Sequence, residues 1–185
     1  MRKMIVLCCT ILVAWLTLAP LNAEAATDPK ALLKKKYPSE TVTLLKSADL
    51  NGDNKKEHFM LTASGNFYLV NAKGTVVLID TGIVGDEEFE SPSIHIYQAS
   101  KKEKHVAVTF GYFPSNTQLY AYKYKNGTLQ KKLSVMGDQG VAIQKDGKIK
   151  QSWKKYLPEG GWNLAAATYT WNATKDKYIA AGQIP

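Results

Sequence analysis

The sequence predicts an all-β fold: an antiparallel meander of propeller-like blades, partial or small in number, with one short N-terminal helix. After Pro38, β-branched and aromatic residues alternate with polar residues at a period of two. Turns containing glycine, such as "NAKGT", "KNGT" and "KDGK", separate these alternating runs. A helical pattern occurs only before Pro38, so strands dominate the prediction.

The helix is predicted in "TDPKALLKKKYPSE". Asp28 is typical of an N-cap and Pro29 of the first helical turn, and Pro38 ends the segment. We therefore expect residues 26–40 to form a short helix and a linker before a single β-rich domain at 41–185.

Within that domain the alternation predicts twelve strands. Their expected ranges are 41–48, 57–63, 66–72, 75–81, 93–99, 104–111, 118–125, 128–135, 140–145, 148–154, 166–172 and 177–182.

The predicted strands also form repeating units. The stretches from "KKEHFML" and from "KEKHVAV" share a charged start, a histidine, an apolar run, a glycine loop and an aromatic hairpin, and a looser third unit follows. Units of roughly 40 to 50 residues with about four strands have the size of propeller blades. Three blades are fewer than the roughly four that close a ring, so a sandwich or barrel stays open beside a part-propeller.

The first 25 residues have the layout of a secretory signal peptide. A basic start (Arg2, Lys3) precedes a 15-residue apolar run, and small residues at Ala23 and Ala25 provide a cleavage site after Ala25. The run is shorter than the roughly 20 residues of a membrane span, and an uncleaved anchor is the alternative. We expect a secreted or cell-surface protein without a stable membrane span after cleavage.

Charge and cysteine content limit the function further. Removal of Arg2, Lys3 and Glu24 from 24 basic and 16 acidic residues leaves 22 and 15, a net charge of +7. Such a chain is attracted to anionic cell-wall polymer or polysaccharide, although lysines also serve solubility alone. Nucleic acid is not expected for an exported protein. Both cysteines, Cys8 and Cys9, lie in the apolar run, so cysteine catalysis and disulfides are not expected after cleavage.

One segment, "DLNGDNKKEHFML", has the pattern of an ion loop. Asp49, Asn51 and Asp53 stand at alternate positions, and Glu57 follows four residues later. Calcium prefers six to eight hard oxygen ligands, and alternating side chains in a loop direct them to one centre. The alternative is a solvated acidic turn whose Asp and Asn side chains cap local backbone groups.

From Asp49 to Gly74 the sequence resembles the FG-GAP or VCBS-type repeat of integrin-like propellers, in which such a loop precedes a strand. The resemblance implies that one structural Ca²⁺ is held by Asp49, Asn51, Asp53, the backbone carbonyl of Lys55, and Glu57. The neighbouring positive charges of Lys55 and Lys56 lower the expected affinity to about millimolar.

Aromatic residues are the second candidate for binding. Tyr120, Tyr122 and Tyr124 alternate on one predicted strand and so share one face, which either stacks on a flat ligand or packs against another layer. Trp162 lies in "YLPEGGWN", a composition typical of a binding loop.

No catalytic residue is predicted, because the chain has no GxSxG, SxxK or HExxH motif and its three histidines have no zinc spacing. The function expected is therefore non-catalytic binding or adhesion at the cell surface. A glycan-acting hydrolase using the acidic segment of Asp86, Glu88 and Glu90 is one alternative. A secreted inhibitor or stress-related structural protein is the other.

Overall fold

The computed structural model describes residues 28–85 and 91–184. The predicted signal peptide and the acidic segment with Asp86, Glu88 and Glu90 lie outside these residues. Within the described ranges, no helix has both the length and the apolar character needed to cross a membrane.

The described residues form one helix and twelve strands, as the alternation predicted. They are α1 (Pro29–Lys36), β1 (Val42–Ala48), β2 (Glu57–Thr62), β3 (Phe67–Val70), β4 (Val76–Asp80), β5 (Ser93–Ser100), β6 (Glu103–Tyr112), β7 (Asn116–Lys125), β8 (Thr128–Gly137), β9 (Val141–Ile143), β10 (Ile149–Tyr156), β11 (Trp162–Asn172) and β12 (Lys177–Gly182).

The strands form three four-stranded sheets, each a simple meander of sequential antiparallel neighbours. We call β1–β4 the first sheet, β5–β8 the central sheet and β9–β12 the last sheet. Short connections join adjacent strands, which is why sequential pairing dominates. The all-β prediction with one short helix is confirmed.

A large apolar core lies between the first and central sheets. Alternate residues of β6, namely Val106, Val108 and Phe110, meet Phe59 and Phe67 of the first sheet in this core. Side chains of one strand face alternate sides, so the residues between them on β6 face the last sheet.

The core between the central and last sheets combines small and large side chains. Ala107 and Ala121 of the central sheet pack in one cluster with Trp171 and Tyr178 of the last sheet. The alanines leave room for these two rings, so the central sheet is covered on both faces.

The helix covers the outer face of the first sheet. Asp28 caps it, because its Oδ1 accepts a hydrogen bond from the Lys30 amide at 3.0 Å. Leu33 packs against Met60 and Tyr68 in a third cluster. In the described part of the chain, the three core clusters join the helix to the first sheet, the first to the central, and the central to the last. The blades therefore stack in an open row.

Gly147, in the turn between β9 and β10, marks a close approach of the last and central sheets. Its φ is 80°, and an added Cβ would lie 1.8 Å from the carbonyl oxygen of Gln98. Gly160 also has a positive φ, 96°, but an added Cβ there would have no atom within 4 Å. It is therefore a control position with a similar backbone conformation and no close neighbour.

We expect Gly147→Ala to destabilise the fold more than Gly160→Ala. Both substitutions strain the backbone by about 1 to 3 kcal/mol, and only the first also forces the two sheets apart, at about 1 to 3 kcal/mol more. Chemical denaturation of both variants measures the difference. Equal losses would contradict the packing described for these sheets.

Candidate ion loop and the adjoining charged cluster

The predicted ion loop connects β1 to β2 and is organised by Asp49. The Asp49 carboxylate accepts hydrogen bonds from the backbone amides of Gly52 at 2.7 Å and Asn54 at 2.9 Å. Burial acts to raise the pKa of Asp49, but these amides outweigh it and lower the pKa. Gly52 and Asn54 have φ values of 78° and 64°, which allow the chain to turn around the carboxylate.

Asn51 and Asp53 complete this turn with local hydrogen bonds. Asn51 accepts from the Asp53 amide at 3.1 Å and donates from Nδ2 to Asp53 Oδ2 at 3.0 Å. Asp53 Oδ1 accepts from the amide of Lys55 at 2.8 Å. The loop is thus a compact turn in which side-chain oxygens accept hydrogen bonds from backbone amides of the same turn.

Glu57 differs from the other residues of the loop because its side chain is fully buried. Its relative exposure is 0%, and Oε2 accepts a hydrogen bond from the Leu50 amide at 3.0 Å. Oε1 has no hydrogen-bond partner, although the Tyr124 hydroxyl lies near the carboxylate. Burial raises the pKa of Glu57, and the charge of Asp53 raises it further.

The five residues predicted to bind calcium therefore lie together in one loop. Among the described residues, no group of three or more His, Cys, Asp or Glu is gathered closely enough to hold a metal ion. Lys104 donates from Nζ to the carbonyl oxygen of Asp49 at 3.3 Å, so an ammonium group already lies against the loop.

The aromatic residues predicted to bind a ligand lie in two places. Tyr122 is fully buried and Tyr120 and Tyr124 are half-buried, all packed in the core between the first and central sheets. Tyr122 donates its hydroxyl proton to Asp80 at 2.7 Å. Trp162 belongs to the last sheet and is 45% exposed, so only this residue offers an open ring face.

A charged cluster lies beyond the ion loop, between the central and last sheets. The Nζ atom of Lys123 lies 2.9 Å from Glu103 and 3.0 Å from Asp176, and Lys132 Nζ lies 2.6 Å from Asp176. The indole of Trp171 donates to Glu103. Hydrogen bonds from Lys132 and then Lys123 lower the pKa of Asp176 to about 2.

His105 lies beside this cluster in a buried polar chain. The hydroxyl oxygens of Tyr97 and Tyr178 are 2.5 Å apart, and the Tyr178 hydroxyl is 2.7 Å from His105 Nδ1. The edge of the imidazole contacts Trp171, with ring centroids 4.5 Å apart. Nε2 of His105 has no partner, and burial lowers the pKa of His105 to about 4.

The sequence alone did not predict the hydrogen-bonded series of Tyr97, Tyr178 and His105. Nothing in the local sequence links His105 to Tyr178, 73 residues later. His58 contacts Ser47 and His95 contacts Thr109, each across its own sheet. The three histidines therefore lie at separate positions, each with its own hydrogen-bond partner.

Two cavities lie next to the residues described above. One of about 450 Å³ lies where β1, β5 and β9 meet and is lined by Lys46, Ile96 and Ile143 among others. The other, of about 200 Å³, is lined by residues of the ion loop and of the charged cluster, including Asn51, Glu103 and His105.

Comparison with known proteins adds no family: no protein-family model matches the chain, and no curated protein or solved structure shows significant similarity to it. The resemblance to FG-GAP and VCBS-type repeats stays a prediction from the residues between Asp49 and Gly74.

We expect His105 to make the fold sensitive to mild acid. Its pKa of about 4 is below the ordinary value of 6.5, so the unfolded chain binds the extra proton between these values and stability falls as pH falls through this window. The loss amounts to up to about 3 kcal/mol. Denaturation of wild type and His105→Gln at several pH values between 7 and 4 measures it.

The control for this experiment is Glu40→Gln. Hydrogen bonds from Ser64 and then Asn66 hold the pKa of Glu40 near 2, below its ordinary value of 4.5. That carboxylate contributes stability above pH 4.5 that is lost as pH falls further, so Glu40→Gln should alter the profile only in this lower range. A profile of His105→Gln parallel to that of wild type from pH 7 to 4 would disprove the role of His105.

Proposed function

We propose that the protein is an exported calcium-binding β-repeat domain with a non-catalytic binding role at the cell surface. The observation that carries the proposal is the buried carboxylate of Glu57, whose Oε1 has no partner beside the loop of Asp49, Asn51 and Asp53. A buried carboxylate oxygen without a partner is unfavourable, and a bound cation removes that penalty.

The residues of the loop carry oxygen atoms, which are the ligands that a hard cation prefers. Each carboxylate oxygen has two lone pairs, so an oxygen that accepts an amide proton still has a lone pair for calcium. Glu57, Asp49, Asp53, the Asn51 amide oxygen and the Lys55 carbonyl supply oxygen ligands, and water completes a shell of six to eight. Calcium bound there ties the β1–β2 connection to the buried start of β2.

Positive charge near the loop sets the affinity. Lys55 and Lys56 follow the turn, and Lys104 contacts the Asp49 carbonyl. Because these ammonium groups oppose a divalent cation, we expect a dissociation constant of about 1 mM, in the range of extracellular calcium modules.

Calcium should raise the melting temperature of the chelator-treated protein and give saturable heat on titration. Glu57→Gln should abolish both effects, because it removes the buried charge that the ion neutralises while preserving shape. The same variant should be at least as stable as wild type without calcium, since the unpaired charge is gone.

Asp146→Asn is the matched control, because Asp146 also caps a turn through its carboxylate, at 3.2 Å from the Lys148 amide. It should leave the calcium response unchanged. A calcium response that survives Glu57→Gln, or no response in wild type, would contradict the calcium site.

The binding surface proposed is the end of the hairpin formed by β10 and β11. Tyr156 and Trp162 are cross-strand partners there and are 70% and 45% exposed. Lys154 holds its Nζ 5.5 Å from the centre of the Trp162 ring, and Lys155 and the acidic Glu159 are exposed nearby. Two open rings beside lysines suit the sugar rings and negative charges of an anionic polysaccharide.

A neighbouring turn extends this surface. Phe113, which is 70% exposed, precedes Ser115, and the Ser115 hydroxyl donates to the Asp138 carbonyl at 3.1 Å. Asp138 Oδ1 accepts from the Lys154 amide at 2.9 Å. The turn between β6 and β7 is thus connected to β10, which supports a surface wider than the hairpin alone.

The double substitution of Tyr156 and Trp162 by alanine should reduce retention on insoluble anionic polysaccharide at least tenfold. Loss of two stacking rings removes about 2 kcal/mol or more of contact energy. Pull-down at low and high salt measures it. Leu78→Ala, which removes a 43% exposed apolar side chain from the edge of the first sheet, is the control. Retention that disappears in salt for wild type and is equal in both variants would indicate attraction by charge alone.

A further inference from the structure

We propose that an anionic polysaccharide chain lies along the outer face of the last sheet and follows β11 away from the hairpin end. The inference rests on the proposed function, because it extends the aromatic surface of Tyr156 and Trp162 and specifies the path of the ligand.

The last sheet has one face without a covering layer. Directly paired residues share a face, so Ala165, Trp171 and Tyr178 lie on the face that packs against the central sheet. The even-numbered residues of β10 and β11 and the odd-numbered residues of β12 form the opposite face, which we call the open face. Among the described residues, no core cluster includes any of them. The helix covers the corresponding face of the first sheet, so the row of sheets is covered at one end only.

The open face carries charge of one sign. Its charged residues are Lys150, Lys154 and Lys177, and none of its strand residues is acidic. Lys150 and Lys177 are exposed and form no ion pair with a described residue. A second copy of the chain packed on this face would bring lysines against lysines, which is unfavourable, so the charge favours an anionic partner.

The side chains in the middle of the open face are small and polar. Ser152, Thr168 and Thr170 present hydroxyl groups there, and no described residue forms a hydrogen bond with these hydroxyls. The aliphatic residues Leu164 and Ile179 are 59% and 37% exposed beside this row. Free hydroxyls between apolar side chains suit the hydroxyls and ring faces of sugars, whereas a lipid surface favours large apolar side chains throughout.

The length of β11 determines the length of ligand that the face accommodates. From Trp162 to Thr170 the strand measures about 27 Å, at roughly 3.4 Å per residue. Lys150 pairs with Thr168 and Lys177 with Asn172, so both lysines lie far from the hairpin end. A short oligosaccharide therefore reaches only the aromatic rings, and a long one also reaches the two lysines.

The experiment is calorimetric titration with hyaluronan oligosaccharides of graded length, in the presence of a chelator so that the calcium site has no influence. We expect the affinity to rise about tenfold or more with length and to level off once the chain spans about 27 Å. Substitution of both Tyr156 and Trp162 by alanine should weaken the binding of short and long chains alike.

Two matched lysine variants test the path. Replacing both Lys150 and Lys177 by glutamine should weaken binding of the long oligosaccharide about three- to tenfold and leave the short one unchanged. The control replaces Lys35 and Lys46 by glutamine, which removes the same charge from exposed positions on the helix and the first sheet. The control should bind as wild type does at every length.

The outcomes separate this inference from the proposed function. An affinity independent of length, with equal binding by both lysine variants, would overturn the path along β11 and leave the aromatic surface at the hairpin end intact. No binding at any length would contradict both. Binding to phosphatidylglycerol vesicles that only the Lys150 and Lys177 variant loses, without oligosaccharide binding, would overturn the proposal in favour of a lipid surface.

Discussion

The structure depends on the burial of β6 from both sides. Val106 and Val108 fill the core toward the first sheet, while Ala107 and the His105 ring face the last sheet. A strand in this position must be buried along most of its length, and seven consecutive residues from His105 to Gly111 are; the two polar ones, His105 and Thr109, contact Tyr178 and His95. Among the described residues, the cores of both outer sheets pack against this strand and its neighbours, so the open row of blades requires no ring closure.

Two-sided burial also determines where polar groups can lie. Few charged side chains lie in the cores, and the fully buried Glu57 is at the start of β2. One end carries the ion loop and the pairs formed by Lys123 with Glu103 and Asp176. The opposite end carries the exposed rings of Tyr156 and Trp162. The same meander therefore separates the ionic groups from the exposed aromatic rings, because successive turns alternate between its two ends.

The sequence predicted the strands and the helix well, since both rest on local periodicity and turn residues. It also grouped Asp49, Asn51, Asp53 and Glu57, because these are neighbours in the chain. The burial of Glu57 was not predictable, because it depends on Tyr124 and other residues far along the chain. The contacts of His105 with Tyr178 and of Lys123 with Asp176 were missed for the same reason: they span 73 and 53 residues and leave no short-range pattern. Only the stacking order of the sheets brings them together.

The first two sheets hold opposite charges at equivalent positions, next to the predicted ion loop. Glu57 precedes His58 on β2, and Lys104 precedes His105 on β6. Glu57 is buried below its own loop, whereas Lys104 is exposed and extends to the Asp49 carbonyl of that loop. The second repeat thus contributes an ammonium group to the oxygen-rich loop of the first. Because that group only contacts the outer backbone, it balances charge without reaching Oε1 of Glu57, and the buried oxygen still lacks a partner.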